Sequence, residues 1–335
     1  MKSTLVSIIC PFRNTEKYLP EMLDSILAQS NSKWELCIVN DHSSDASEEV
    51  VKEYAKLDQR IKLFSNTGKG IIDALQTGYS QCSGQFITRM DSDDIMSTDK
   101  LEQMVLDLNT NGQGHVALGQ VKYFCEGQIG EGFKKYENWL NHLIQTGKNF
   151  SDIYKECVIA SPCWMVYQSD FEKCGGFTSN TYPEDYDLVF RFFEGGLKCI
   201  PSDKVLHHWR DYSTRASRID PNYADNTFVD LKLNYFLKLH KDYSKPLVVW
   251  GAGGKGKRIA KELLLQEIPF NWVCDNPKKI GKDIYGKKML AFQAIDQFEN
   301  AQNIITVANA KAQIDIKSFF EVRGKKAMID FFFFC

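Results

Sequence analysis

The stretch FITRMDSDD, Phe86–Asp94, is apolar at its start and abruptly acidic at its end. Phe86 to Met90 reads as a strand buried in a sheet, and it delivers three aspartates to the loop that follows. Upstream the same cycle recurs. Leu5 to Cys10 is a continuous apolar run, and Leu19, Met22, Leu23, Ile26 and Leu27 then recur at helical spacing. Trp34 to Val39 reads as a second strand, and Asp45 can cap a helix carrying Val50, Val51, Tyr54 and Leu57. Ile61 to Phe64 and Ile71 to Cys82 supply a third strand and helix. Alternating strands and helices predict an α/β fold, a doubly wound and mostly parallel sheet whose ligands bind at the carboxyl ends of the strands. The loops to inspect are therefore PFRN, NDHSSD, NTGKG and RMDSDD, all polar and all following strands.

A chain of 335 residues exceeds what one core ordinarily fills. The pattern weakens from Gly112 to Cys157, where Phe133, Tyr136, Trp139 and Phe150 form an aromatic stretch read either as a helix packed on the core or as the lining of an acceptor pocket. A polar helical stretch from about Tyr223 to His240 then leads to Lys245 and Pro246. We divide the chain into a first domain over 1–218, a helical linker over 219–244 and a small alternating domain over 245–335. Net charge is −2 with acids and bases well mixed, which argues against nucleic acid as a partner. Ten cysteines are scattered singly and none falls in a CxxC pair, the usage expected of free thiols in a reducing compartment. No run approaches the ~18 apolar residues of a membrane span, so the expectation is a cytoplasmic protein. The terminal FFFFC reads as a buried strand, with peripheral membrane contact the competing reading.

A second acidic motif, PEDYDLVFR, Pro183–Arg191, follows DSDD. Aspartates at a strand end can hold a hard cation, Mn2+ or Mg2+, against a diphosphate whose charge grows as a bond to it breaks. Asp93 is the best metal ligand; Asp91 faces a ribose or a metal-bound water, and Asp94 caps the next helix. In a single displacement the attacking hydroxyl lies opposite the departing diphosphate, so its base must stand on a separate segment, and Asp185 answers that need. Asp187, about 200° further around a helix, faces elsewhere. The bland alternative for both motifs is helix capping and the charging of helix N-termini. Downstream, VLHHWRDYSTRASR offers His208 or His207 as a further metal ligand and Arg210 or Arg215 as a clamp on the diphosphate, against purely structural roles.

VSIICPFRN, ELCIVNDHSSD, NTGKGIIDALQTGYSQCSGQFITRMDSDDIM and CGGF followed by PEDYDLVFRF together resemble the family 2 inverting glycosyltransferases, which have the GT-A nucleotide-diphospho-sugar transferase fold. The resemblance runs from about Val6 to Trp209 and implies transfer of a hexosyl or N-acetylhexosaminyl group from a nucleoside diphosphate sugar to a glycan or lipid-linked sugar acceptor. It places Pro11, Arg13 and Glu16 near the base and ribose, Asp41 on the nucleobase, and Lys69 and Arg89 close to the diphosphate. Asp91 and Asp93 form its DxD element, and Asp185 matches its general base. Asn40 stands where a second aspartate is common, and His42 where glycine is usual.

Gly251, Gly253 and Gly256 fit GxGxxG between a strand and a helix, a pattern that lets backbone approach a phosphate. The surrounding sequence resembles the small Rossmann-like domain of some sugar-modifying acyltransferases and methyltransferases. Nucleotide or nucleotide-sugar binding is one reading of it, and packing or homodimerisation the other. Two rivals to transfer remain: an NAD-dependent oxidoreductase built on GAGGKG, and a noncatalytic nucleotide-sugar-binding protein.

Overall fold

A computed structural model describes residues 5–215, 218 and 228–335. The linker read over 219–244 thus falls partly, at 219–227, outside the described residues, as do 216–217 at the end of the first domain. The chain forms two compact units, one of residues 1–150 and 157–224, the other of 151–156 and 225–335.

The first unit opens with the predicted alternation: β1 (Val6–Phe12), α1 (Leu19–Leu27), β2 (Trp34–Asn40), α2 (Ser47–Leu57), β3 (Ile61–Ser65), α3 (Ile71–Tyr79) and β4 (Phe86–Arg89). It continues through β5 (Ile95–Met96), α4 (Lys100–Asn111), β6 (His115–Leu118), β7 (Gln120–Phe124), α5 (Glu131–Thr146), β8 (Trp164–Tyr167), α6 (Gln168–Lys173), α7 (Glu184–Glu194), β9 (Lys198–Cys199) and β10 (Val205–Arg210). The main sheet runs β3-β2-β1-β4-β8-β6-β9, and β5-β10-β7 make a small second sheet. Every residue of β1 and β2 is buried, as continuous apolar runs demand of strands covered on both faces. β1 to β4 pair in parallel, so their four following loops share one end of the sheet. β8 pairs antiparallel with both β4 and β6 and turns the sheet into a mixed one.

Helix α1 buries Leu19, Met22, Leu23 and Ile26, as their spacing requires. Helix α2 departs from expectation: Val51 is its one buried apolar side chain and Leu57, in its last turn, is 82% exposed. Phe133, Tyr136 and Trp139 lie on α5, which buries Leu140, Leu143 and Ile144, with Phe133 5.3 Å from Tyr123 of β7, while Phe150 lies in a short 3-10 turn beyond it.

The second unit comprises α8 (Val229–Leu239), β11 (Leu247–Trp250), α9 (Gly254–Leu265), β12 (Asn271–Cys274), β13 (Asp283–Ile284), β14 (Lys287–Ala291), β15 (Gln302–Ile305), α10 (Ala310–Val322) and β16 (Phe331–Phe333). Its sheet runs β13-β14-β12-β11-β15-β16, with every pair parallel except the β13–β14 hairpin. Helix α8, from the segment read as a linker, belongs to this unit. Phe331, Phe332 and Phe334 are buried, so the terminal aromatic run is core. Among the described residues no helix is long and apolar enough to cross a membrane, and all ten cysteines are free.

Candidate active site

The loop after β4 and the start of α7 are brought together by one buried arginine. Arg89, the last residue of β4, is 5% exposed. Its Nη2 lies 3.0 Å from Asp91 Oδ1 and its Nη1 2.9 Å from Glu184 Oε1. Charge-assisted bonds of this kind hold both acidic segments to one cation. The guanidinium that the resemblance places close to a diphosphate is paired here with these two carboxylates.

Asp185 follows Glu184 in the first turn of α7, half-buried, with Oδ1 accepting from the Tyr186 N–H at 2.7 Å. Burial and the neighbouring Glu184 charge push its carboxyl up to about 7, against the opposing pull of Arg89. Asp187 is engaged elsewhere. It pairs with Arg191 at 2.8 Å, and Arg191 Nη1 donates to the Cys174 and Gly176 carbonyls, so that carboxylate braces the CGGF turn.

In DSDD each aspartate has a different task. Asp93 Oδ2 accepts from the Tyr212 hydroxyl at 2.8 Å, and the Asp93 carbonyl accepts from Arg210 Nε at 2.7 Å. Burial and the nearby charges of Asp94 and Asp91 raise the Asp93 carboxyl to about 6, while Arg215 counters them. Asp94 does not cap α4 as expected. It is fully buried, with Oδ2 on His207 Nε2 at 2.9 Å and Oδ1 accepting from the Arg210 N–H at 2.8 Å. Successive side chains of β10 point to opposite faces, so His208 cannot join it there. The His208 ring meets Ser97 Oγ at 3.4 Å and stands edge-on to Phe124. The expected His208 ligand is thus turned to another face, and His207 is the histidine that meets the acidic loop. Among the described residues no group of three His, Cys, Asp or Glu side chains is spaced to hold a metal ion.

Arg210 does reach this loop, and its guanidinium also lies against the Tyr18 and Phe124 rings and pairs with Glu21. Tyr18 packs 4.8 Å from Tyr212. The buried Arg215 sits over the Trp209 ring and acts electrostatically on all three aspartates of the loop. Tyr212 and Lys100 were missed by the sequence reading. Nothing local announces a tyrosine in a polar tail or a lysine at a helix start as a partner for residues more than a hundred positions away.

At the other end of the site, Asp41 Oδ1 accepts from Asn66 Nδ2 at 2.7 Å and from the Gly70 N–H at 3.0 Å, tying the loop after β2 to the loop after β3. Pro11 is buried within β1, whereas Arg13 and Lys69 are exposed in the loops after β1 and β3. Glu16 is used structurally: its Oε2 accepts from the Ala46 N–H at 2.7 Å where α2 begins. His42 has φ 56°, a left-handed backbone that explains why glycine is usual there, and its ring meets the Gly68 carbonyl at 2.8 Å.

In the second unit Gly251 follows β11 with φ 98°, and a Cβ on Gly256 would stand 2.2 Å from the Gly251 carbonyl oxygen. These glycines let α9 start directly against the strand end. Gly253 opens that helix with no heavy atom within 4 Å of the position its Cβ would take.

A mixed sheet with polar loops gathered at the carboxyl ends of four parallel strands and an acidic strand-end loop make an α/β fold similar to that of the GT-A glycosyltransferases. Residues 7–175 match the family model described as Glycosyl transferase family 2, and the chain belongs to that family. It is 35% identical over 225 residues to Glycosyltransferase GlyA of Streptococcus pneumoniae, covering 64% of this chain and 32% of that protein. An uncharacterized glycosyltransferase of Haemophilus influenzae is 36% identical over 248 residues, 70% of this chain and 74% of its own. The chain therefore spans about a third of the first relative and about three quarters of the second. Among solved structures, the mannosyltransferase PcManGT from Pyrobaculum calidifontis, in complex with GDP-Man and Mn2+, superposes with a TM-score of 0.52 at 18% identity, covering 78% of this chain and 68% of that one. That likeness shows the fold.

Proposed function

We propose that the chain is a metal-dependent inverting glycosyltransferase that moves a hexosyl or N-acetylhexosaminyl group from a nucleoside diphosphate sugar to a hydroxyl of a glycan or lipid-linked acceptor. The observation that carries this reading is the Arg89 bridge, which holds Asp91 and Glu184, at the start of α7, on one cation. Two acidic motifs placed to charge unrelated helices have no reason to share a buried guanidinium.

The donor set fits a hard cation, Mn2+ or Mg2+. Asp91 and Asp93 offer carboxylate oxygens from one strand-end loop, and such ions are commonly held by one or two carboxylates with substrate phosphates completing the shell. The GDP-Man and Mn2+ complex of the structural neighbour supports this choice. When bound, the cation would offset the charge that develops on the departing diphosphate. His208, turned toward Ser97, is not assigned a role in holding it.

Asp185 takes the acceptor proton. Its carboxyl, raised to about 7 by burial and by Glu184, is a stronger base than an ordinary aspartate and is substantially ionised near neutral pH. A base across the ring from the leaving group gives inversion in one displacement. Asp41, fixed by Asn66 and Gly70, is the candidate nucleobase contact, with Pro11 and Arg13 beside it and Lys69 free to approach phosphate from its exposed loop. Arg210, anchored on the Asp93 carbonyl, orients the acidic loop.

We assign residues 245–335 to a Rossmann-like domain that binds a nucleotide or nucleotide-sugar through Gly251, Gly253 and Gly256. Its parallel sheet order and the close fit of α9 on β11 support this. It supplies one mononucleotide-binding half.

A manganese-supplemented screen of nucleotide-sugars for release of the nucleoside diphosphate tests the reading. Release from one donor, stimulated by an acceptor glycan, is expected; donor binding without turnover on any acceptor would leave a noncatalytic binder instead.

A further inference from the structure

Behind the acidic loop lies a buried chain of polar groups that the transfer chemistry does not itself use. Lys100 begins α4 and His207 sits on β10, and both are fully buried, as is Asp94 between them and the site. Lys100 Nζ donates to the Pro162 carbonyl at 2.5 Å and lies 3.3 Å from His207 Nδ1. His207 Nε2 lies 2.9 Å from Asp94 Oδ2. Burial lowers the Lys100 pKa, but charged or neutral its Nζ carries N–H donors; with one of them on Nδ1, that nitrogen accepts and the imidazole proton sits on Nε2, facing the Asp94 carboxylate. Every link then has one donor and one acceptor, the condition under which buried polar groups hold a single arrangement.

The other Asp94 oxygen carries this order into the site. Oδ1 accepts from the Arg210 N–H at 2.8 Å, Arg210 Nε donates to the Asp93 carbonyl at 2.7 Å, and the Tyr212 hydroxyl two residues on donates to Asp93 Oδ2 at 2.8 Å. Asp93 is thus aimed from its backbone and from its carboxylate by a strand end that Asp94 holds in register.

We propose that Lys100 and His207 are positioning residues: by fixing the Nε2–H tautomer of His207 they lock Asp94, and through it Arg210 and Tyr212, so that the Asp93 carboxylate is held ready for a divalent cation. The assignment of Asp93 rests on the function proposed above; the tautomer does not.

The test has two arms. Nitrogen-15 NMR of the histidine rings in the whole protein reads the tautomer directly, and a neutral His207 with its proton on Nε2 is expected, lost or mixed in Lys100→Met. A proton on Nδ1 in the unaltered protein, or a Lys100→Met ring identical to the original, would overturn the proposal. The second arm measures Mn2+ affinity by calorimetry. His207→Leu is expected to weaken it by about 10- to 100-fold, the range typical of residues that orient a metal ligand, and His207→Gln, which keeps an N–H for Asp94, to recover part of the loss. A folded His207→Leu protein with unchanged affinity, or a glutamine variant no better than leucine, would also overturn it. Should the unaltered protein bind no Mn2+, the cation reading falls and the NMR arm alone decides this one.

Discussion

Arg89 and Glu184 meet in a buried ion pair, Nη1 to Oε1 at 2.9 Å with both side chains 6% exposed, although 95 positions separate them. The pair fastens the first turn of α7 to the end of β4 and so fixes where Asp185 stands relative to DSDD. Removing one partner of a buried pair leaves an uncompensated charge, at a cost of about 3–5 kcal/mol. Arg89→Met should therefore lower unfolding stability by that order in denaturant titrations. A loss under about 1 kcal/mol would mean that water or another group compensates Glu184 and that the bridge is weaker than its geometry implies.

Asp185→Asn keeps the shape of the side chain and removes its basicity. Turnover should fall by about 10²- to 10⁴-fold, the usual contribution of a general base, while donor affinity measured by calorimetry stays within about threefold. An asparagine variant with near-normal turnover would transfer the role elsewhere; Glu184, held by Arg89, and Asp187, held by Arg191, are both already engaged.

The same residue gives a pH dependence of defined sign. Burial, Glu184 and Asp91 raise its pKa, and Arg89 and the Tyr186 N–H lower it. Transfer requires the carboxylate, so the rate should rise with pH through about 7, and the rise should vanish in Asp185→Asn. Stability moves the other way. A carboxyl lifted from 3.8 to about 7 makes the folded state retain a proton that the unfolded chain releases, so its contribution is full below 3.8 and is lost as pH rises to about 7. Melting curves of the original and asparagine proteins across that window should differ in slope in that direction.

Chelation tests the cation independently. Excess EDTA should abolish transfer and Mn2+ should restore it, whereas Asp93→Asn should lose the response to added Mn2+. Transfer that survives chelation at full rate would leave Asp91 and Asp93 with the structural roles that Arg89 and Tyr212 already give them.

What the sequence made legible follows from the range of the interactions involved. β1 and β2 are continuous apolar runs buried on both faces, so their order and the loops at their carboxyl ends could be read directly. The helix through Leu57 was periodic too, but periodicity does not say which of its apolar residues find a surface to pack on, and Leu57 is left 82% exposed. Within DSDD, composition singled out the aspartates but could not divide their labour. Asp94 looked like a cap because its true partner, His207, lies 113 positions away on a strand whose sheet includes a two-residue strand too short to announce itself. His208 and His207 were indistinguishable in sequence, and only the alternation of β10 separates them.

The steric demand on the glycines of the second unit is local. Gly256 faces the Gly251 carbonyl oxygen so closely that a methyl group would sit 2.2 Å from it and 2.7 Å from Thr306 Oγ1. Backbone cannot yield as a flexible side chain can, so Gly256→Ala must push α9 off β11. The cost should be about 1–3 kcal/mol, as for other overpacked sites, and calorimetric melting should place it in the second unit, with the transition of the first unit unmoved where the two are resolved. Gly253→Ala meets no heavy atom within 4 Å and should melt close to the original. If nucleotide binding depends on this loop, Gly256→Ala should weaken it in the full chain while donor turnover by the first unit persists. Equal melting of the two variants would mean that the helix start adapts to the added methyl and that α9 does not depend on its close approach to β11 at Gly256.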